Sequence, residues 1–161
     1  MKKIKTRSPQ ETLDLGIKLG ERIKTDLNKK VIALFAPMGA GKTLFTRGIC
    51  IGFGLGDMAS SPTFTIMNEY RPQGADFGLQ GAGFRAQGAK QGISPTVFHF
   101  DMYRIEGDLK DSGLDEYLSE DGIVVIEWAE NVEKFLPKND TLFVKIEITG
   151  EDTREFEFEN I

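Results

Sequence analysis

Val31-Ile32-Ala33-Leu34-Phe35-Ala36-Pro37-Met38-Gly39-Ala40-Gly41-Lys42-Thr43 is the stretch from which the fold can be read. Five consecutive apolar residues, Val31–Phe35, suit a strand buried on both faces. A glycine-rich turn follows at once. A helix is then predicted from about Gly41 to Phe53, ended by Gly52, Gly54 and Gly56. Strand, Gly-Ala-Gly-Lys-Thr turn and helix, in that order, make a phosphate-binding loop. Its glycines let backbone N–H groups converge on phosphate oxygens, and the helix adds its positive N-terminal end. The candidate nucleotide contacts are Met38, Gly39, Ala40, Gly41, Lys42, Thr43 and Leu44. Lys42 can reach the β- and γ-phosphates, and the Thr43 hydroxyl can bind magnesium. The strict pattern has glycine where this chain has Ala36, so a left-handed φ there would be strained.

Two acidic residues stand at strand ends. The apolar run Ile123–Ile126 leads into Glu127, and Phe98-His99-Phe100 leads into Asp101. Parallel α/β sheets gather ligands at the carboxyl ends of their strands. Asp101 and Glu127 are therefore expected to flank magnesium and the γ-phosphate, one orienting hydrated metal and the other positioning water. Ser61-Pro62-Thr63 follows the loop helix, where a threonine can sense a γ-phosphate as switch threonines do. Trp128 is a candidate for core packing, and His99 for a partly buried strand residue rather than a base. The chain has no guanine-reading Asn-Lys-x-Asp, since Asn28-Lys29-Lys30-Val31 lacks the final Asp. The expected nucleotide is ATP, with Mg2+.

Around this centre, Ser8-Pro9-Gln10-Glu11 reads as a capped helix start, and the helix is predicted to run to about Leu27. Gly16 and Gly20 leave it a small face for close packing. Strands are predicted over Thr63–Tyr70 and Thr96–Tyr103, and a helix over Leu109–Leu118. Asn131 is expected to cap a short helix before Pro137. Alternation at Leu142, Val144, Ile146 and Ile148, then at Phe156 and Phe158, predicts a C-terminal β-hairpin. Pro72–Pro95, rich in Gly, Ala and Gln, keeps neither period and reads as a flexible insertion between two strands. The expectation is one α/β domain over residues 1–161, with a three-layer P-loop NTPase-like fold and a mixed sheet flanked by helices.

Composition removes other classes. The 161 residues carry 20 Lys plus Arg and 25 Asp plus Glu, a net charge of −5, so whole-chain charge does not favour a free-standing nucleic-acid binder. One cysteine, Cys50, excludes an internal disulfide framework, and one histidine argues against a histidine-based zinc site. The start, MKKIKTRSPQET, has no apolar stretch behind it, and no apolar run approaches a bilayer span. A cytosolic protein without membrane contact is expected.

With these residues quoted, the chain resembles the TsaE (YjeE) family of bacterial P-loop ATPases. The resemblance is carried by Gly39-Ala40-Gly41-Lys42-Thr43, Ser61-Pro62-Thr63-Phe64-Thr65 with Asn68-Glu69-Tyr70, His99-Phe100-Asp101-Met102-Tyr103-Arg104, and Glu127-Trp128-Ala129-Glu130. Leu114-Asp115-Glu116-Tyr117 and the N-terminal helix with Thr12 also fit. Ala36 departs from the family's usual glycine, and most of Pro72–Pro95 has no counterpart. The resemblance implies ATP binding and hydrolysis in support of the threonylcarbamoyl modification of tRNA adenosine. The transfer itself would belong to the partners TsaB and TsaD, which would also do most of the tRNA holding. It implies functional roles for Lys42, Thr43, Thr63, Asp101, Glu127 and Trp128, with Thr12 as a further nucleotide contact. A small-molecule kinase using Pro72–Pro95 as a lid, with only Arg85 and Lys90 as its cations, and a nucleotide-gated adaptor are the alternatives.

Overall fold

The computed structural model describes residues 1–25, 28–57, 59–72, 96–105 and 113–161. Strands β1 (Lys2–Thr6), β2 (Val31–Phe35), β3 (Met67–Tyr70), β4 (Val97–Asp101), β5 (Ile123–Glu127), β6 (Thr141–Ile148) and β7 (Arg154–Glu159) form one sheet. Its order is β1-β7-β6-β2-β5-β4-β3. β6, β2, β5 and β4 are parallel, while β3, β7 and β1 pair antiparallel, so the sheet is mixed.

Strands buried on both faces need no polar alternation. In β2, Ile32 and Leu34 face one core, with Val125, Leu142, Val144 and Phe156. Val31 and Ala33 face the other, with Phe98, Phe100, Val124 and Ile126. Helices α1 (Pro9–Thr25) and α2 (Lys42–Phe53) cover the first face. Helix α3 (Leu114–Ser119) and two 3-10 turns, Ala129–Asn131 and Glu133–Phe135, lie on the second. These are the three expected layers.

Glycines set the spacing of the first helical layer. A Cβ on Gly16 would lie 2.4 Å from the Phe45 carbonyl oxygen, and one on Gly20 2.3 Å from that of Ile49. From α2, a Cβ on Gly48 would lie 2.3 Å from Leu13 O, and one on Gly52 2.0 Å from Ile17 O. Two small-residue faces therefore interlock backbone to backbone. Gly52 does not end α2 as expected. Gly54 does, in the left-handed conformation at φ 98, with its N–H donating to Ile51 O. The start of α1 is capped as predicted: the Glu11 N–H donates to Ser8 Oγ, and the Glu11 carboxylate accepts from the Arg7 N–H.

Several boundaries moved. Thr63–Thr65 form a turn, not the start of a strand, because Thr65 and Ile66 both donate backbone N–H groups to Pro62 O. β4 stops at Asp101, two residues early. Asn131 caps no helix; its Nδ2 donates to Met102 O at 2.7 Å, joining the segments after β4 and β5. β1 was not expected, since Ile4 is its only large apolar residue. It is held by five backbone pairs to β7 and by Lys3 Nζ at 3.2 Å from both Glu155 and Glu157. The predicted end of α1 at Leu27, the first part of the helix expected over Leu109–Leu118, and the insertion beyond Pro72 lie outside the described residues. Among the described residues, no helix is long and apolar enough to cross a membrane.

Helix propensity alone makes Gly20→Ala stabilising by up to about 1 kcal/mol. The carbonyl contact reverses the sign: overpacking here should cost about 1–3 kcal/mol net, read as a lower urea midpoint. A midpoint at or above the parent's would show that α1 and α2 do not approach as described.

Candidate functional site

The glycine-rich loop expected to bind phosphate leaves β2 at the centre of the sheet and enters α2 at Lys42. Gly39 (φ 75) and Gly41 (φ 93) occupy the left-handed region, where a side chain would be strained. Ala36 does not, and its methyl packs into the core, so the departure from glycine carries no backbone strain. Lys42 is buried, and its Nζ donates to the Ala36 and Pro37 carbonyls at 3.0 Å each. Its ammonium also lies 4.0 Å from the centre of the Trp128 ring. Burial pushes the Lys42 pKa below the ordinary value, against the opposing pull of Glu127, Glu130 and Asp101.

The parallel register of β4 and β5 places Asp101 opposite Glu127, and Leu34 of β2 also stands level with Glu127. Asp101 and Glu127 thus arrive together at the strand ends beside α2. The Thr43 hydroxyl donates to Glu127 Oε1 at 2.9 Å. Its hydrogen being so engaged, its oxygen lone pairs are left for a hard cation. The Thr63 hydroxyl donates to Asp101 Oδ2 at 2.5 Å, so Ser61, 2.6 Å away, must donate to Thr63. Asp101 Oδ1 accepts the Tyr103 N–H at 2.9 Å. A cleft of about 340 Å³ is lined by Met38, Gly39, Gly41, Lys42, Thr43, Leu44, Ser61, Thr63, Asp101, Tyr103, Glu127 and Trp128. Two carboxylates and a threonine hydroxyl beside a loop of backbone N–H groups form a hard-oxygen donor set. It fits magnesium, which commonly takes one or two carboxylates and completes its shell with phosphate and water.

A model of the family described as threonylcarbamoyl adenosine biosynthesis protein TsaE matches residues 6–156. The chain belongs to the TsaE family. It is 37% identical to a tRNA threonylcarbamoyladenosine biosynthesis protein TsaE of Bacillus subtilis over 128 residues, 80% of this chain and 68% of that one. A TsaE of Mycobacterium tuberculosis is 31% identical over 154 residues, 90% of this chain and 79% of that one. The crystal structure of Bacillus subtilis YdiB superposes with a TM-score of 0.64 at 30% identity, covering 98% of this chain and 83% of that one.

Of the residues singled out in this TsaE sequence, Met38, Gly39, Gly41, Lys42, Thr43, Leu44, Thr63, Asp101, Glu127 and Trp128 line one cleft. Ala40 and Thr12 are not among its lining residues. Ala40 is fully buried, and the Thr12 hydroxyl lies 2.9 Å from Thr6 Oγ1, with its methyl beneath Gly41. Trp128 is half-buried, packs on Lys42 and Tyr103, and holds a left-handed φ of 57. An aromatic residue in that region is an outlier whose strain the surroundings must hold. Arg104 is not among the cleft-lining residues; its guanidinium lies 5.8 Å from the centre of the Phe64 ring.

The reading of His99 as partly buried was incomplete. His99 is fully buried, and its Nε2 lies 2.9 Å from the same Glu127 Oε1 that Thr43 reaches. Its Nδ1 is 3.4 Å from the Tyr70 hydroxyl, which donates to Ser60 O at 2.8 Å. A buried chain therefore runs from the phosphate loop through Glu127, His99 and Tyr70 to the Ser60–Thr63 segment. The signal was present in the sequence: His99 stands two residues before Asp101, hence on the same strand face. Removing the imidazole would leave the buried Glu127 carboxylate with Thr43 as its one remaining donor of the two. His99→Ala should lose about 1–3 kcal/mol in chemical denaturation, and Tyr70→Phe, which deletes only the outer link, should lose less. Equal losses, or none, would contradict the chain's direction.

Proposed function

We propose that this protein binds MgATP in the cleft and hydrolyses it in support of tRNA threonylcarbamoyladenosine modification by a TsaB–TsaD complex. The observation carrying this reading is the 2.9 Å Thr43–Glu127 hydrogen bond, with Asp101 in register beside it. A loop cation, a metal-ligating hydroxyl and two carboxylates are the parts phosphoryl transfer to water requires. Magnesium, when bound, would neutralise charge on the β- and γ-phosphate oxygens. Thr43 and Glu127 would hold it, Glu127 directly or through water. Lys42 would release the Ala36 and Pro37 carbonyls and turn to the phosphates. Asp101, steered by Thr63, would orient the water that attacks the γ-phosphorus as the bond to the β-γ bridging oxygen breaks, giving ADP and phosphate. Free phosphate as product supports this, and a phosphorylated acceptor would support the kinase.

The partner part of the reading draws on family membership and on the cleft mouth. Met38 and Tyr103 line the cleft and are exposed, and Phe64, next in sequence to the lining residue Thr63, is 90% exposed. Exposed aromatic side chains suit a partner surface. Among the described residues, no cation besides Lys42 lines the cleft, so slow turnover that rises with the partner complex is expected. The role proposed is cytoplasmic.

Lys42→Ala deletes a charge-assisted contact worth about 1.5–3 kcal/mol, so ATP affinity should fall about 10- to 150-fold and turnover should vanish. Asp101→Asn should bind ATP near normally and fail to release phosphate. Wild-type turnover in either variant would remove the assignment. A pH prediction follows from the depressed Lys42 pKa. Nucleotide needs the ammonium, which the free protein loses below the ordinary lysine value of 10.5. ATP affinity should therefore weaken as pH rises through the lowered pKa and be level below it. Lys42→Arg, always charged, should flatten the alkaline fall in titration calorimetry. An identical fall in both proteins would assign it to another group.

A further inference from the structure

The phosphate loop is gripped from two sides. Lys42 holds the Ala36 and Pro37 carbonyls from the cleft side. From the opposite side comes Arg154, the first residue of β7. Its Nε donates to Ala40 O and its Nη2 to Gly39 O, both at 3.2 Å, so one edge of the guanidinium forks across two successive loop carbonyls. Its Nη1 donates to Gly150, Glu151 and Thr153 carbonyls at 3.0–3.1 Å, all in the turn between β6 and β7. Every partner is a backbone oxygen of either the phosphate loop or that turn.

A trans peptide sends its C=O and the next N–H in opposite directions. Pinning Ala40 O behind the loop therefore turns the Gly41 N–H to the cleft side, where Gly41 is a lining residue. Pinning Gly39 O fixes the peptide whose N–H, that of Ala40, closes the loop's turn onto Pro37 O at 3.3 Å. Gly39 and Gly41, both left-handed, are the most freely rotating residues of the loop. Without a brace, their peptides would lose orientation entropy each time an anion bound.

We propose that Arg154 is a positioning residue that preorganises the phosphate loop for a polyphosphate and ties the loop to the C-terminal hairpin. The inference rests on the nucleotide reading above. It gains force from Lys42: a triphosphate that takes the ammonium frees the Ala36 and Pro37 carbonyls, and Arg154 remains as the side chain holding loop oxygens. The fork needs guanidinium geometry. A lysine at this position would supply charge but not two parallel donors.

The test compares wild type, Arg154→Lys and Arg154→Gln for MgATP affinity, turnover and amide exchange. The expected result is a loss of ATP affinity of about 10-fold in Arg154→Gln, as for one charge-assisted hydrogen bond, with kcat at saturation little changed. Arg154→Lys should restore only part of it. Exchange should quicken in residues 37–42 while α1 and the central strands stay protected. In Arg154→Gln, millimolar methylguanidinium should recover affinity. Unchanged affinity and loop exchange in Arg154→Gln would overturn the inference. So would faster exchange throughout the sheet in both variants, which would mark Arg154 as an ordinary stabilising residue. A wild-type protein that binds neither ATP nor inorganic triphosphate would overturn the nucleotide reading, and this inference with it.

Discussion

One carboxylate oxygen joins the parts of this molecule. Glu127 Oε1 accepts from Thr43 at the head of α2 and from His99 in β4, both at 2.9 Å. The first contact ties the sheet to the glycine loop and α2, and the second runs through Tyr70 to Ser60. A buried carboxylate is tolerated only when its hydrogen bonds are supplied, so the geometry of both donor elements, α2 and β4, is coupled to it. The register of β4 against β5 is the deeper constraint. A slip of one residue would put His99 and Asp101 on the opposite face and leave Glu127 without either neighbour.

Packing elsewhere serves this junction. The glycine interlock seats α2 on α1, and α2 carries Lys42 and Thr43. Backbone strain falls near the same place. Among the described residues, three non-glycines have positive φ; of these, Trp128 lines the cleft and Ile66 is hydrogen-bonded through its carbonyl to Asp101, which lines it. Ile66 donates its N–H to Pro62 O and accepts that of Asp101, so its strained peptide links the Ser61–Thr63 segment to β4. Trp128 sits directly after Glu127 and lays its ring over Lys42. Such strain persists only where contacts over-determine it.

Much of this was legible in the sequence because the signals were local. The run Val31–Phe35 and the glycine turn after it needed no partner to be read, and neither did the alternation of Leu142–Ile148. Asp101 and Glu127 could be paired because strand ends in a parallel sheet converge. What stayed hidden depended on distant partners. β1 has one large apolar residue and is a strand only because β7 offers an edge. Gly52 reads in the sequence as a helix end, and Gly48 gives no signal there; both are explained by the approach of α1. His99 looked ordinary because its meaning lies in β5 and β3. Arg154 lies within the predicted hairpin, well past the last quoted motif, Glu127–Glu130, and has no neighbour in sequence that points to the glycine loop.

The central claim is that Glu127 and Thr43 hold the cation that accompanies a nucleotide. It is tested most directly by the magnesium dependence of ATP affinity in wild type and in Glu127→Gln, which keeps shape and loses charge. The account predicts that Mg2+ tightens ATP binding in wild type and that this enhancement largely disappears in Glu127→Gln, while metal-free ATP binds the two proteins comparably. An equal magnesium enhancement in both proteins would contradict it.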